Sequence, residues 1–218
     1  MADGKRLFPA PRVIALAALA GVVAGAVAVY VTGGPSGNNL SPEAVACAAK
    51  SGRAKDVAAA AAGQVAAMLP ADPPVPLTDL AFNGPDGQAM TLADLGGKTL
   101  LVNLWATWCA PCRAEMPALD TLELERGGES FEVVAINVDT GDDEKPRKFL
   151  SEIGVESLGY YRDASMKVFN DLKAKSLALG LPVTLLVDAE GCLLANMNGP
   201  AEWAGEDAGR LIDKALAE

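Results

Sequence analysis

Cys109 and Cys112 stand two residues apart in the stretch Trp105-Ala106-Thr107-Trp108-Cys109-Ala110-Pro111-Cys112-Arg113, directly after an apolar run. Two thiols at this separation can close to a disulfide and reopen, which is redox exchange. The run Thr99 to Trp105, Thr-Leu-Leu-Val-Asn-Leu-Trp, is short, mostly apolar and preceded by Gly96-Gly97, and it reads as a buried strand. After the pair, Met116, Leu119, Leu122 and Leu124 have the spacing of an amphipathic helix. The first cysteine therefore falls at a helix N-terminus and the second about one turn inside. Free N–H groups and the helix dipole there favour negative charge. Cys109 is expected as a thiolate with a lowered pKa, the nucleophile, and Cys112 as the resolving thiol.

Two plainer roles compete. A Cys-x-x-Cys pair is half of a zinc site, but a structural zinc takes four ligands, usually cysteine and histidine. The chain has no histidine, and Cys47 and Cys192 are isolated. No metal is expected. A purely structural disulfide fits poorly with a strand that hands over to a helix at the pair.

The segment Trp-Cys-Ala-Pro-Cys-Arg-Ala-Glu-Met-Pro resembles the thioredoxin superfamily. More narrowly, it resembles the membrane-anchored TlpA-like, ResA-like and CcmG-like thiol–disulfide proteins of bacterial cytochrome biogenesis. The resemblance runs from about Leu77 to the C-terminus. It includes Leu-Leu-Val-Asn-Leu-Trp-Ala-Thr-Trp-Cys, Val-Val-Ala-Ile-Asn-Val-Asp-Thr and Gly-Pro-Ala-Glu-Trp-Ala, where the TlpA-like proteins fit best. It implies a thioredoxin-like α/β fold, a mixed sheet flanked by helices. It also implies a reductant of protein disulfides, with cytochrome or oxidase assembly components as clients and a membrane electron donor. No cofactor is implied beyond the redox-active disulfide. One departure stands out. Cytosolic thioredoxin has a buried acid six residues before its first cysteine, and Asn103 occupies that place here. Another group must accept the proton, or none does.

Further site residues follow from the resemblance. Leu181-Pro182-Val183-Thr184 matches the cis-proline loop that faces the Cys-x-x-Cys. The residue before such a proline can pair through its backbone with a docked substrate, as in strand addition. Leu181, Pro182 and Val183, with Trp108, Ala110 and Pro111 around the thiols, are the expected substrate-binding residues. An ordinary turn proline at the start of a strand is the alternative for Pro182. Glu115 completes a ResA-like Cys-x-x-Cys-x-x-Glu pattern that places a carboxylate near the thiols, where it can raise the resolving thiol's pKa or carry its proton. A solvated helix carboxylate is the alternative.

The rest of the chain positions this unit. It has 218 residues, 28 acidic and 18 basic, for a formal net charge of −10. That balance gives nucleic-acid binding no support. Lys5, Arg6 and Arg12 against Asp3 precede Val13 to Val31, 19 residues without a charge. The expected organisation is a cytoplasmic N-terminus over 1–12 and a single transmembrane anchor over 13–31. A linker and Ala-rich helix over 32–76 and a thioredoxin-like domain over 77–218 follow. The catalytic domain is then periplasmic at the inner membrane, and a monomer is expected. A cleaved signal peptide ending near Ala26-Val27-Ala28 is the rival for the anchor. Ser41-Pro42-Glu43 reads as a helix start, with helix continuing toward Leu69 and breaks possible at Gly52 and Gly63. Strands are expected at 80–82, 88–91, 99–105, 131–138, 158–161 and 193–197. Helices are expected after Cys109, after Asp143 to Gly154, over 164–172 and from Glu202-Trp203 onward.

Outside the cytoplasm structural disulfides persist. With Cys109 and Cys112 claimed by the motif, Cys47 and Cys192 are expected to pair; two free buried thiols are the alternative. A copper-delivering assembly protein is the alternative function, since thiolates bind Cu(I). The copper chaperones of this fold use a wider cysteine spacing and a histidine, both missing here. Peroxide reduction at Cys109 has nothing beyond the thiol in its favour. Iodoacetamide at neutral pH is expected to alkylate Cys109 before Cys112 in the reduced chain, as peptide mapping of timed samples would read; faster labelling of Cys112 would reverse the two roles.

Overall fold

The apolar run Thr99–Trp105 forms β4 and is buried at all seven positions. A strand with no solvated face must be covered on both sides and flanked by neighbours, and this requirement organises the sheet. The computed structural model describes residues 40–217. Its strands are β1 (Leu69–Pro70), β2 (Ala81–Asn83), β3 (Ala89–Thr91), β4, β5 (Phe131–Asn137), β6 (Tyr161–Arg162), β7 (Val183–Val187) and β8 (Leu193–Asn198). The sheet order is β1-β8-β7-β4-β5-β6-β2-β3. β4 is parallel to β5, from Thr99 opposite Phe131 to Trp105 opposite Asn137. It is antiparallel to β7, with Leu104 opposite Val183. The helices are α1 (Pro42–Ala48), α2 (Ser51–Ala58), α3 (Ala110–Arg126), α4 (Glu144–Glu152), α5 (Lys167–Ala174) and α6 (Glu206–Leu216). The sheet is thus mixed and flanked by helices, as the resemblance implied. Trp105, Trp203 and Phe131 are the largest fully buried side chains.

Several elements differ from the sequence reading. The Ala-rich stretch is two short helices that part at Ala49-Lys50, and the chain then turns into a 3-10 turn at Gly63–Val65. Alanine propensity is a weak prior that tertiary contacts override. Here Cys47 is bonded to Cys192, with Cα atoms 5.3 Å apart. Lys50 Nζ also donates to Asp188 Oδ2 at 2.6 Å and Glu190 Oε2 at 2.7 Å. The boundary expected at residue 77 is no break either. From Ser41 the chain is one compact unit, and β1 pairs Leu69 with Asn196 of β8. Leu124 is exposed rather than inward. β6 begins at Tyr161, and α5 begins at Lys167 after Met166 adopts a left-handed conformation at φ 58°. The C-terminal helix begins at Glu206, not at Glu202-Trp203, because Trp203 is buried as a plug before it. Asp143 stands at the N-terminus of α4 without capping by its side chain, which pairs with Arg147 instead.

The expected segment over 1–12, the anchor over 13–31 and most of the linker lie outside the described residues. Among the described residues no helix is long and apolar enough to cross a membrane.

The Cys47–Cys192 bond closes a loop of 145 residues. Chain-entropy arithmetic for so long a loop gives up to roughly 5 kcal/mol. Replacing both cysteines by alanine is expected to lower the urea midpoint by a corresponding amount while leaving disulfide exchange at Cys109 in place. An unchanged midpoint would mean that the bond adds nothing to the packing of α1.

Candidate active site

β4 ends at Trp105, and four residues later Cys109 takes an extended conformation as the N-cap of α3. Its sulfur accepts the Cys112 N–H at 3.2 Å, so a helix N-terminal amide points at the first thiol. Pro111 sits in the first turn, where its missing N–H has no intrahelical use. Cys109 and Cys112 are joined, with Cα atoms 5.3 Å apart. Cys109 retains 6% exposure and Cys112 none. An incoming disulfide can therefore reach the first sulfur and not the second. Trp108 is 61% exposed beside them, and Ala110 and Pro111 are exposed as well.

The loop between β4 and α3 is held from beneath. Asp139, buried after the end of β5, accepts the Thr107 N–H at 2.8 Å and the Thr107 hydroxyl at 2.9 Å. Asn137 Nδ2 donates to the same carboxylate at 2.8 Å. A charged acceptor meeting three donors is a strong tie. It fixes the chain two residues before the first sulfur.

Glu115 lies one turn after Cys112 on α3 and is 3% exposed. It is not the solvated carboxylate that a helix surface offers by default. Oε1 accepts Asn103 Nδ2 at 2.9 Å; Oε2 accepts the Ala201 N–H and Trp203 Nε1–H, each at 3.2 Å. All of these donors are neutral. Burial pushes its pKa up to about 7, and the three hydrogen bonds oppose that rise without cancelling it. An open cleft of about 390 Å³ is lined by Gln64, Ala114, Glu115, Pro200 and Glu202 among others, and by Pro111, which stands between the two cysteines in sequence. Arg113, the cation nearest the pair in sequence, lays its guanidinium over the Phe149 ring at 4.8 Å.

Strand pairing brings the second landmark to the same end of the sheet. Val183 lies opposite Leu104, one residue before β4 ends, and the Leu181–Pro182 peptide is cis. Among the described residues Leu181 has no backbone hydrogen-bond partner, while Pro182 C=O accepts the Gly199 N–H. Val183 does not belong in the groove. It is fully buried and paired on both sides, so its side chain is core. The solvent-facing part of this loop is Leu179, 81% exposed, whose N–H is pinned to Asn198 Oδ1 at 2.7 Å.

A family model described as redoxin matches residues 70–212. The chain belongs to the redoxin family. This redoxin is 37% identical over 130 residues to the thiol:disulfide interchange protein HelX of Rhodobacter capsulatus, covering 59% of this chain and 66% of that one. It is 37% identical over 113 residues to the thiol:disulfide interchange protein CycY of Rhizobium leguminosarum bv. viciae, covering 52% and 56%. The chain thus spans somewhat less than two thirds of these relatives' own length. Among solved structures it is similar to a thiol:disulfide interchange protein of the thioredoxin family from Chlorobium tepidum. That match has a TM-score of 0.55 and 26% identity, covering 66% of this redoxin and 97% of that chain.

Sequence reading marked Asn103 as a departure and Glu115 as a candidate but did not join them. It missed Asp139, Thr184, Ala201 and Trp203, whose roles arise across the sheet. The unusual Asn at the centre of an apolar strand was the signal that a polar partner must lie opposite.

The buried carboxyl group makes stability depend on pH. Its pKa is higher in the folded chain than the ordinary 4.5, so ionisation favours unfolding. The penalty is absent below about pH 4.5, grows as pH rises toward 7 and is complete above, on the order of 3 kcal/mol at 1.36 kcal/mol per unit. Glu115→Gln of the oxidised protein, compared with wild type by urea unfolding, is expected to gain relative stability by about that much between pH 4.5 and 8. A difference that stays flat across this window would contradict the burial argument.

Proposed function

We propose that this chain is a membrane-tethered thiol–disulfide oxidoreductase of the periplasm that reduces protein disulfides during cytochrome or respiratory oxidase assembly. The observation that carries the reading is the asymmetry of the pair: one reachable sulfur at a helix N-terminus, one sealed sulfur, and a buried carboxyl group a turn beyond. The names of HelX and CycY, thiol:disulfide interchange proteins, support the reaction class. The charge-free run at 13–31 and the basic residues before it support the tether.

In the working direction the Cys109 thiolate attacks one sulfur of a client disulfide, forming a Cys109–client bond and releasing the client's other sulfur as a thiolate that takes a proton. Cys112 then loses its proton to ionised Glu115 and attacks Cys109 Sγ. The Cys109–Cys112 bond forms, the Cys109–client bond breaks, and the second client sulfur leaves as a thiolate, protonated in turn by Glu115 or water through the cleft. The client gains two electrons and two protons; the pair supplies both electrons and the Cys112 proton, and the second proton comes from water. A membrane electron donor restores the dithiol. Trp108, Ala110, Pro111, Leu181 and Pro182 form the surface on which an extended client segment lies, with the free Leu181 backbone available for strand-like pairing. Tethering raises the local concentration of membrane-bound clients.

The direction follows from charge. An oxidant is one whose reduced form is strongly stabilised, as in DsbA at about −120 mV against thioredoxin at about −270 mV, and nearby positive charge is one way to stabilise a thiolate. Here the side chains of Ala110 and Pro111 add no cation or donor, and Arg113 is engaged over Phe149. Beyond residue 31 the chain carries −12, since the first 31 residues contribute +2 to the total of −10. Equilibration with glutathione buffers is expected to give a potential near about −270 mV. A value above about −180 mV, the protein disulfide isomerase figure, would make the protein an oxidant or isomerase.

A further inference from the structure

Asn103 is wholly buried at the middle of β4. Its Nδ2 donates to Glu115 Oε1 at 2.9 Å and to Thr184 Oγ1 at 3.0 Å. Its Oδ1 is buried and has no partner. This orientation suits an ionised Glu115, which can only accept. A neutral Glu115 carries an O–H that must find an acceptor. Its other two partners, the Ala201 N–H and Trp203 Nε1–H, are donors and cannot serve.

We infer that Asn103 is a positioning residue for proton transfer at Glu115: its carboxamide reverses when Glu115 takes a proton, so that Oδ1 accepts the Glu115 O–H. Thr184 fits both orientations, because a hydroxyl accepts from Nδ2 in one and donates to Oδ1 in the other. Each orientation leaves one end of the amide unpartnered, Oδ1 in the first and Nδ2 in the second. The number of hydrogen bonds is the same in both, so the protonation state of Glu115 decides between them. Neither leucine nor aspartate at 103 would do this. Leucine offers Glu115 nothing, and aspartate sets a second negative charge against it. Thr184 lies two residues after Pro182, so the reversal also reaches the strand that carries the substrate loop.

The titratable groups facing Glu115 are few. Cys112 lies one turn before it on α3, and Glu202 lies across the cleft. Asn103 of β4, Thr184 of β7, Gln64 of the 3-10 turn and Trp203 are neutral. A proton gained by Glu115 from Cys112 is thus registered chiefly by Asn103.

The inference rests on the reading of Glu115 as the base for Cys112, and the experiment separates the two. In the isotope-labelled full chain, the Asn103 carboxamide resonances are followed by NMR as Glu115 titrates. They are expected to shift strongly with the same midpoint as the Glu115 carboxyl carbon. Resolution of a preformed Cys109 mixed disulfide is then timed against pH in wild type, Glu115→Gln and Asn103→Leu. Asn103→Leu is expected to slow resolution about tenfold, a fraction of the 10²–10⁴ that a positioned base supplies, and to move the midpoint of the pH profile. If Glu115→Gln resolves at the wild-type rate with the same profile, the base reading fails and the inference with it. If Glu115→Gln is slow while the wild-type Asn103 resonances stay fixed through the titration, the base stands and the reversal is wrong. The wild-type titration needs no variant to fold.

Discussion

A carboxyl group buried on the helix that carries the cysteine pair, with neutral donors and no cation, governs this molecule. Burial of a charge without a counter-ion is costly, and the usual response is a raised pKa rather than a stored charge. Glu115 follows that response, held between the two protonation states near neutral pH. Everything that lets it persist belongs to the fold's centre: Asn103 from β4, Ala201 and Trp203 from the segment before α6, and α3 itself. A surface helix could not provide this setting, and a core without polar groups could not tolerate the residue.

The same strand does two things at once. β4 is buried throughout, so it fixes where α3 must begin and hence where Cys109 stands. Its one polar residue reaches across to Glu115 on one side and Thr184 on the other. Its partner β5 ends at the Asp139 tie to Thr107. Its partner β7 starts at the Pro182 loop. Cys109, Glu115 and the Pro182 loop therefore share one rigid support, which is how a site is held to the tolerance that exchange chemistry needs.

The local parts of this arrangement were legible. Thr99–Trp105 as a strand, Cys109 at a helix start and the turn before β8 all come from short-range patterns: an apolar run, an N-terminal position, a Gly-bounded turn. The Cys47 with Cys192 pairing followed from there being four cysteines and one motif. What escaped was everything that depends on contacts distant in sequence. The Ala-rich stretch looked like a spacer because its own residues favour helix, yet Lys50 and Cys47 anchor it to a turn some 140 residues away. Trp203 looked like the start of a helix, and it is a buried plug whose indole N–H meets Glu115. Val183 looked like groove and is core, because strand pairing claims it on both sides.

The central claim is that Glu115 sets the ionisation of the sealed thiol. Thiolate ultraviolet absorbance of the reduced full chain, titrated in wild type and Glu115→Gln, tests it most directly. The account predicts an early step from Cys109 that is nearly the same in both proteins. It predicts a later step from Cys112 that moves to lower pH when the carboxyl group is replaced, because a like charge no longer opposes the thiolate. Superimposable curves would contradict it and return Glu115 to a packing role.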